Sequence, residues 1–332
     1  MFNKLKEECG IFGIYAKNPE ENLAYNTCLG LSSLQHRGEE SCGIAINNGG
    51  IINCYKDVGL VSDVFKRHII DKMPTGKMSM GHVRYSTTGE PKKENAQPIV
   101  MRYAKGNIGI VHNGNLINSY ELREELQNNA AIFQTTSDTE IICYIIARER
   151  LKTNSIEEAI INTTKYIKGA YSLIVMSSQK LIAVRDPQGF RPLCMGKLGE
   201  DIVFASESCA LETIGAEFIR DIEPGEMVSV TDNKITSQKI EESNKKGLCV
   251  FEYIYFSRPD SVVDGINVHT FRENAGRRLA IQAPVDADIV CGVPDSGLDA
   301  ALRILKRIKN TIWYRINKKQ IYRKNFYSIH SK

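Results

Sequence analysis

The sequence predicts an α+β fold in which helices cover stacked β-sheets. In the first half of the chain, short apolar stretches rich in β-branched residues alternate with stretches of helical periodicity. Four further strand candidates then follow one another, punctuated by turn sequences. Because runs of consecutive strands favour layered sheets, this order argues against a single doubly wound parallel sheet.

The individual elements follow from the spacing of their apolar residues. Short β-branched stretches predict strands at 11–15, 43–46, 79–83, 108–112, 171–176, 181–185, 202–205 and 227–230. Helical periodicity predicts helices at 23–36, 120–127, 139–150 and 156–167. Turn sequences at 186–189 and 224–225 separate the later strands.

Two of the predicted helices begin with a capping pattern. Asn118 stands three residues before Glu121, and Ser137 stands three residues before Glu140. A side-chain oxygen followed at this spacing by a carboxylate can satisfy two free N–H groups at a helix start. We therefore expect capped helix starts at both positions.

A polar stretch at 231–247 has no strong periodicity and is the candidate domain boundary. Beyond it, the pattern predicts a helix at 272–282 and a buried strand at 287–293. That strand runs into the small-residue turn Pro294-Asp295-Ser296-Gly297. In α/β folds, ligands bind at such carboxyl ends of strands.

Length and charge indicate two domains and an uneven charge distribution. A chain of 332 residues exceeds a typical small single core, so about two domains are expected. From Arg303 onward there are 10 Lys and Arg and no Asp or Glu, whereas the rest of the chain holds 33 basic and 39 acidic residues. A basic tail suits a nucleic-acid arm, but this one contains no recognised binding motif.

The nine cysteines are dispersed along the chain. They form no C-x-x-C pair, and no His cluster lies at a spacing suited to zinc. The sequence also has no secretion signal and no run of about eighteen apolar residues. We therefore expect reduced thiols in a cytoplasmic protein without a membrane span.

Cys9 is the most informative single position. If the polar leader 1–8 is removed, Cys9 becomes the first residue and carries both a thiol and a free α-amine. Because the α-amine titrates near 7.7 to 8.0, part of it is unprotonated at neutral pH and can accept the thiol proton. The alternative is that Cys9 is a small apolar residue at the start of a buried strand.

Several motifs together resemble the glutamine amidotransferases of the N-terminal-nucleophile class. The shared segments are Cys9-Gly10-Ile11-Phe12-Gly13, Leu34-Gln35-His36-Arg37-Gly38, Gly81-His82-Val83-Arg84-Tyr85-Ser86, His112-Asn113-Gly114-Asn115 and Thr136-Ser137-Asp138-Thr139-Glu140. A further segment, residues 251–261, resembles the amidophosphoribosyltransferase family in particular. The resemblance extends over about residues 9–301. It implies an αββα glutaminase domain followed by an α/β type I phosphoribosyltransferase domain.

For the glutaminase half, the resemblance implies that Cys9 attacks the side-chain amide carbon of glutamine and releases ammonia. Asn113, through its side-chain amide, and Gly114, through its N–H group, match the oxyanion-binding pair of the family. Loss of one such donor typically costs about 2.7 to 4 kcal/mol of barrier. Local sequence leaves a second interpretation open, because Asn-Gly after a strand is also a typical hairpin turn.

The glutamine-binding residues are also implied by the resemblance. Arg84 matches the ligand of the α-carboxylate, a task that suits the planar guanidinium. Asp138 matches the ligand of the α-ammonium group, although Asp in a first helical turn is also favoured by the helix dipole alone. Tyr85 matches a mobile loop residue that closes the site. Arg37 lies in the Gln-His-Arg-Gly turn, where an ordering role is expected beside substrate binding.

For the second half, the resemblance implies transfer of ammonia to magnesium-bound phosphoribosyl pyrophosphate, giving phosphoribosylamine for purine biosynthesis. Ser296 matches a magnesium-associated position, but an N-cap role explains the local sequence equally well. Cys249 aligns with the first ligand of the 4Fe-4S cluster found in one subgroup. The resemblance further implies a homo-oligomer for the full-length parent.

After Gly297 the chain departs from the family pattern. The family continues into an Asp-Asp phosphate-binding loop, whereas residues 303–332 contain no acid and include Trp313. We expect a frameshifted reading frame here, with a basic interaction arm as the alternative. The expected organisation is a propeptide at 1–8, a type 2 glutamine amidotransferase domain at 9–235, the start of an incomplete phosphoribosyltransferase domain at 236–301, and a non-family tail at 302–332.

This organisation predicts that the chain keeps the glutaminase half and makes little or no phosphoribosylamine. Two other functions remain open on sequence grounds. One is a sibling amidotransferase that makes glucosamine phosphate or asparagine, against which residues 251–261 and 293–297 argue. The other is an inactive or regulatory amidotransferase fragment.

Overall fold

The computed structural model describes residues 9–20, 22–85, 92–232, 234–241, 246–247 and 249–308. They belong to two compact units that divide between Cys249 and Val250. The predicted propeptide 1–8 and most of the basic tail, from residue 309 onward, lie outside the described residues. Among the described helices, none has the length and apolar character needed to cross a bilayer.

The first unit is built from strands and helices that alternate in groups. Its strands are β1 Gly10–Glu20, β2 Ser41–Asn48, β3 Ile51–Val58, β4 Gly76–Arg84, β5 Ile99–Tyr103, β6 Gly106–Leu116, β7 Gly169–Met176, β8 Leu181–Arg185, β9 Cys194–Leu198, β10 Asp201–Ala205, β11 Glu217–Asp221, β12 Glu226–Thr231 and β13 Lys234–Lys239. Its helices are α1 Leu23–Ser33, α2 Val61–Val64, α3 Arg67–Ile70, α4 Ser119–Asn128, α5 Asp138–Arg150, α6 Ile156–Thr164 and α7 Ser208–Thr213.

The strands form two antiparallel sheets. The first has the order β11-β9-β10-β1-β4-β2-β3, and the second has the order β13-β12-β8-β7-β6-β5. One face of each sheet packs against the other sheet, and Ile11, Met80, Val111 and Ile174 are buried between them. The opposite faces are covered by helices, so the predicted αββα layers are confirmed.

Strand β1 shows how the residue pattern produces these layers. Ile11 and Tyr15 point into the core between the sheets, whereas Phe12 and Ile14 point into the core beneath α1 and α7. Successive side chains of a strand lie on opposite faces, so a strand buried on both faces needs an almost continuous apolar sequence. The apolar sequence of residues 11–16 meets that requirement.

The contact between α1 and β1 depends on a glycine. A Cβ atom on Gly30 would lie 2.5 Å from a ring carbon of Phe12. Gly30 and Phe12 are both buried in the core between α1 and the first sheet. The helix can therefore approach the sheet closely only because position 30 lacks a side chain.

The helix starts and ends differ in part from the sequence prediction. Helix α1 ends at Ser33, and a 3₁₀ turn at Gln35–Arg37 follows it instead of a continued helix. The Ser137 cap is confirmed, since its hydroxyl accepts from the N–H of Thr139. The Asn118 cap is wrong, because its side chain binds Tyr166 O and the N–H of Lys168 instead of the helix start.

The boundary between the units lies later than the predicted 235/236. Lys234–Lys239 forms strand β13, which pairs with β12 over its whole length, from Thr231 opposite Lys234 to Glu226 opposite Lys239. A boundary at 235/236 would cut this hairpin. The polar sequence of β13 reflects its position at a sheet edge, where side chains are mostly exposed.

The second unit begins with a π-helical turn at Glu252–Phe256 and a short hairpin of β14 Val262–Val263 and β15 Ile266–Asn267. Helices α8 Val268–Gln282 and α9 Gly297–Ile308 follow and pack together, with Gly276 against the backbone of Ala300. The predicted helix 272–282 is confirmed within α8, but the predicted buried strand 287–293 is wrong. Those residues are partly or fully exposed, and no described strand lies beside them.

We predict that Gly30→Ala destabilises the first unit. Alanine in an exposed helix normally stabilises by about 1 kcal/mol relative to glycine. At position 30 the new methyl group must displace Phe12, and overpacking of this kind costs about 1 to 3 kcal/mol. The free energy of unfolding in urea measures the effect. Ser32→Ala on the exposed face of the same helix is the control, and equal stability of the two variants would refute the close packing.

Candidate active site

The predicted nucleophile lies at the end of a central strand. Cys9 directly precedes β1 and is 7% exposed. Its neighbour Gly10 pairs with Val83 of β4. The thiol of Cys9 donates to the carbonyl oxygen of Tyr85 at 3.6 Å. The pairing of β1 with β4 thus brings Cys9 next to Arg84 and Tyr85, as the motifs require.

A buried ion pair holds the backbone of the nucleophile. The guanidinium of Arg37 donates through Nε to the carbonyl oxygen of Cys9 at 3.0 Å and through its NH1 group to Glu207 at 2.7 Å. The side chains of Arg37 and Glu207 are 0% exposed. On the outer side of the pair, His36 Nε2 lies 2.8 Å from the same carboxylate oxygen. Because Arg37 is enclosed by these contacts, the geometry fits an ordering role better than direct substrate binding.

Arg84 is the last residue of β4 and is nearly buried. Its carbonyl oxygen accepts from the N–H of Glu40 at 3.1 Å, and its Cα pairs with that of Ser41. A Cβ atom on Gly38 would lie 2.6 Å from the backbone nitrogen of Arg84. The turn that carries Arg37 is therefore packed directly on the strand end that carries Arg84.

The predicted oxyanion pair lies within strand β6. Asn113 is opposite Ser172 and Gly114 is opposite Tyr171 in β7, so the hairpin-turn interpretation is wrong. The side chain of Asn113 is fully buried, and neither its oxygen nor its nitrogen has a hydrogen-bond partner. An unpaired buried amide typically costs about 1 to 3 kcal/mol. Such a cost is expected where a group is kept ready for a ligand.

Gly114 cannot be replaced in this backbone. Its φ is +149°, and a Cβ atom would lie 2.0 Å from the carbonyl oxygen of Ala170. A residue with a side chain is therefore excluded both by conformation and by space.

Two buried histidines connect the strands of the two sheets. Nε2 of His82 in β4 donates to the carbonyl oxygen of His112 in β6 at 3.0 Å. Nδ1 of His112 lies 3.6 Å from a carboxylate oxygen of Asp138 and 3.4 Å from the hydroxyl of Thr139. Burial lowers the pKa of His82 to about 3, so the bridging ring is neutral near pH 7.

Asp138 is the first residue of α5 and is ionised inside the protein. Its carboxylate accepts from the N–H of Leu116 at 3.0 Å. Burial by itself raises the pKa of this carboxyl group, but His112 and the N–H groups of Leu116 and Thr139 outweigh burial and hold the pKa below its ordinary value. Ser137 caps the helix as predicted, and Asp138 lies in the first turn, where the helix dipole also favours a carboxylate.

The structure thus places the residues predicted for glutamine hydrolysis in two sets that a hydrogen bond links. Cys9, Arg84 and Tyr85 meet at the ends of β1 and β4. Asn113, Gly114 and Asp138 meet around β6 and the start of α5, and the bond from His82 to His112 joins this set to β4. Sequence reasoning missed Glu207, because an acid that follows a strand and precedes a helix gives no sign of being paired with a distant arginine.

The predicted metal-associated residues are not part of this network. Ser296 lies in the second unit just before α9, and Cys249 is half-buried at the end of the first unit. Within the described ranges, no group of three or more His, Cys, Asp or Glu side chains is placed to hold a metal ion.

Comparison with known proteins shows the family of this chain. Residues 82–213 match the model of a glutamine amidotransferase domain. The amidophosphoribosyltransferase of Methanocaldococcus jannaschii is 48% identical over 309 residues, which cover 89% of this chain and 65% of that protein. The amidophosphoribosyltransferase of Bacillus subtilis is 42% identical, over 90% of this chain and 62% of that protein. The chain thus spans a little under two thirds of the length of these curated relatives.

Two solved structures share the fold. One, described as the allosteric regulatory enzyme of purine biosynthesis, superposes with a TM-score of 0.87 at 39% identity and covers 93% of this chain and 67% of that chain. The other is glutamine phosphoribosylpyrophosphate amidotransferase from B. subtilis, described as complexed with ADP and GMP. It gives a TM-score of 0.85 at 37% identity and covers 95% of this chain and 70% of that chain.

We predict that Glu207→Gln destabilises the protein by about 3 to 5 kcal/mol, because it leaves the buried charge of Arg37 without its partner. Urea unfolding measures the change. Glu200→Gln is the control, since it breaks the exposed pair of Glu200 with Lys17 and should leave stability unchanged. Equal effects of the two substitutions would contradict the role assigned to the buried pair.

We also predict a pH dependence of stability that originates at His82. Its pKa is about 3 in the folded protein and about 6.5 when unfolded, so between these values the unfolded chain binds a proton that the folded chain does not. Stability is therefore lost as pH falls below about 6.5. In His82→Gln, the loss between pH 7 and pH 5 should shrink by about 2 kcal/mol.

The matched control for this measurement is His68→Gln, at an exposed position. It should leave the difference in unfolding free energy between pH 7 and pH 5 as in the wild type. An unchanged difference in His82→Gln would contradict this account, because it would show that His82 takes up its proton over the same pH range in the folded and the unfolded chain.

Proposed function

This chain belongs to the amidophosphoribosyltransferase family, and from that membership we propose that it releases ammonia from glutamine and transfers it to phosphoribosyl pyrophosphate. The product would be phosphoribosylamine, and the pathway is de novo purine biosynthesis. One observation supports the glutaminase half of the proposal, namely that the side-chain amide of Asn113 is fully buried and has no hydrogen-bond partner. Asn113 lies on β6, which a hydrogen bond joins to β4, and Cys9 lies beside β4.

The proposed chemistry begins with Cys9 as the first residue of the mature chain. Its α-amine takes the thiol proton, and the sulfur adds to the amide carbon of glutamine. The oxygen of the tetrahedral intermediate accepts from the amide of Asn113 and the N–H of Gly114. The proton then passes to the departing nitrogen, ammonia leaves, and a γ-glutamyl thioester remains on Cys9. Water cleaves the thioester to glutamate and restores the thiol.

The two ends of glutamine have different proposed ligands. Arg84, at the strand end beside Cys9, would bind the α-carboxylate through its guanidinium. Asp138, which is ionised, would accept from the α-ammonium group. Tyr85 would close the site, as its backbone already contacts the thiol of Cys9. A closed site keeps water from the thioester until ammonia has left.

The acceptor half of the reaction is proposed on family membership alone. Phosphoribosyl pyrophosphate would lose pyrophosphate to the incoming ammonia in the second unit. Magnesium near Ser296 and a 4Fe-4S cluster at Cys249 stay predictions. Homo-oligomer formation likewise stays a prediction. Reduced thiols at all nine cysteines support a cytoplasmic location.

We predict that Cys9→Ala abolishes ammonia release from glutamine, because the variant has no nucleophile. The assay is glutamine-dependent ammonia production, combined with intact mass to show whether residues 1–8 are removed. Cys54→Ala, at an exposed thiol of β3, is the control and should retain wild-type activity. Ammonia release by Cys9→Ala, or by a wild-type chain that retains residues 1–8, would refute the proposed mechanism.

A further inference from the structure

Strand β6, which carries the proposed oxyanion pair, stops pairing with strand β5 just before that pair. Strands β5 and β6 pair from Tyr103 opposite Gly106 to Ile99 opposite Ile110. The same register would place Gln97 opposite His112. Pro98 stands between Gln97 and the strand and has no N–H group to donate. On this side, the backbone ladder therefore ends at Ile110.

The side chain of Gln97 continues the ladder where the backbone stops. The N–H of His112 donates to Oε1 of Gln97 at 2.7 Å, and Nε2 of Gln97 donates to the carbonyl oxygen of His112 at 3.4 Å. One amide group thus satisfies both backbone groups of His112, as a neighbouring strand would. Gln97 is only 4% exposed, so water does not compete for these bonds.

The residue held in this way is the one before the oxyanion pair. His112 is bonded to Gln97 on one side and lies opposite Leu173 of β7 on the other, and its carbonyl oxygen also accepts from His82. The carbonyl group of His112 shares its peptide plane with the N–H of Asn113, so holding it restrains the backbone from which Asn113 and then Gly114 extend. We propose that Gln97 is a positioning residue that holds Asn113 and Gly114 in the geometry needed to bind the oxyanion. This inference rests on the proposed glutaminase function.

The segment around Gln97 has its own anchors, so the side chain can be tested without detaching the segment. The ammonium group of Lys56 donates to the carbonyl oxygens of Ala96 and Pro98. The side-chain amide of Asn95 both accepts from the N–H of Thr136 and donates to its hydroxyl, each at 2.9 Å. Replacement of Gln97 therefore removes the two bonds to His112 and leaves these contacts in place.

The test compares Gln97→Leu with the wild type in steady-state glutamine hydrolysis. Oxyanion stabilisation acts in the transition state, so kcat should fall about 10- to 100-fold while KM for glutamine stays within about twofold. The γ-aldehyde analogue of glutamine adds reversibly to the thiol and places an oxygen in the same position, so its affinity should fall in parallel with kcat. Gln127→Leu, at an exposed position of α4, is the matched control and should change neither.

A second measurement separates positioning from general damage. Alkylation of Cys9 by iodoacetamide, followed on the Cys9 peptide by mass spectrometry, should proceed at the wild-type rate in Gln97→Leu. The variant Gln97→Glu should regain kcat relative to Gln97→Leu as pH falls, because a protonated carboxyl group offers one donor and one acceptor, like the amide.

The outcomes distinguish this inference from the function on which it rests. No ammonia release by the wild type would overturn the proposed function and this inference with it. An active wild type with equal kcat in Gln97→Leu would overturn the inference alone. So would a parallel loss of kcat and of the Cys9 alkylation rate, or a Gln97→Glu variant that gains no activity over Gln97→Leu at low pH.

Discussion

The contact of Arg37 with the carbonyl oxygen of Cys9 is the interaction on which the rest of the site depends. A nucleophile at the start of a chain has no preceding backbone to hold it, so its own carbonyl group must be fixed. Arg37 donates a hydrogen bond to that carbonyl group from a fully buried position. Burial of its charge would be strongly destabilising without the ion pair with Glu207. The Gln-His-Arg-Gly turn, the end of β4 and the start of α7 are therefore packed around one ion pair.

The two packed sheets give the site its second constraint. β4 and β6 belong to different sheets, and His82 joins them with a bond to the backbone of His112. Burial lowers the pKa of the bridging ring, so the ring is neutral near pH 7. On β6, Gly114 has a positive φ that residues with a side chain rarely adopt. The side-chain amide of Asn113, on the same strand, has no hydrogen-bond partner. Stability is thus given up at Asn113, as expected where a binding group is held ready.

The parts of the fold that could be predicted are those buried on both sides. Apolar stretches identified every interior strand of the two sheets except β9, because central strands need apolar residues on both faces. In the first unit the missed strands are β9 and the four sheet edges, β3, β5, β11 and β13, whose exposed faces carry polar residues. The short strands β14 and β15 of the second unit were also missed. In the site, motifs identified Cys9 and Asn113. Sequence analysis did not find Glu207, because its partner Arg37 lies far away in sequence. It did not find Gln97, because the partners of that side chain are backbone atoms.

Trapping of the acyl-enzyme tests the central claim most directly, namely that Cys9 is a nucleophile at a newly formed chain start. The protein is mixed with glutamine, quenched in acid and measured by intact mass, and the modified residue is located by peptide mapping. The account predicts a chain that begins at Cys9 and carries one glutamyl group on its sulfur. Glutamine turnover without an adduct on Cys9, or an adduct at another residue, would contradict it.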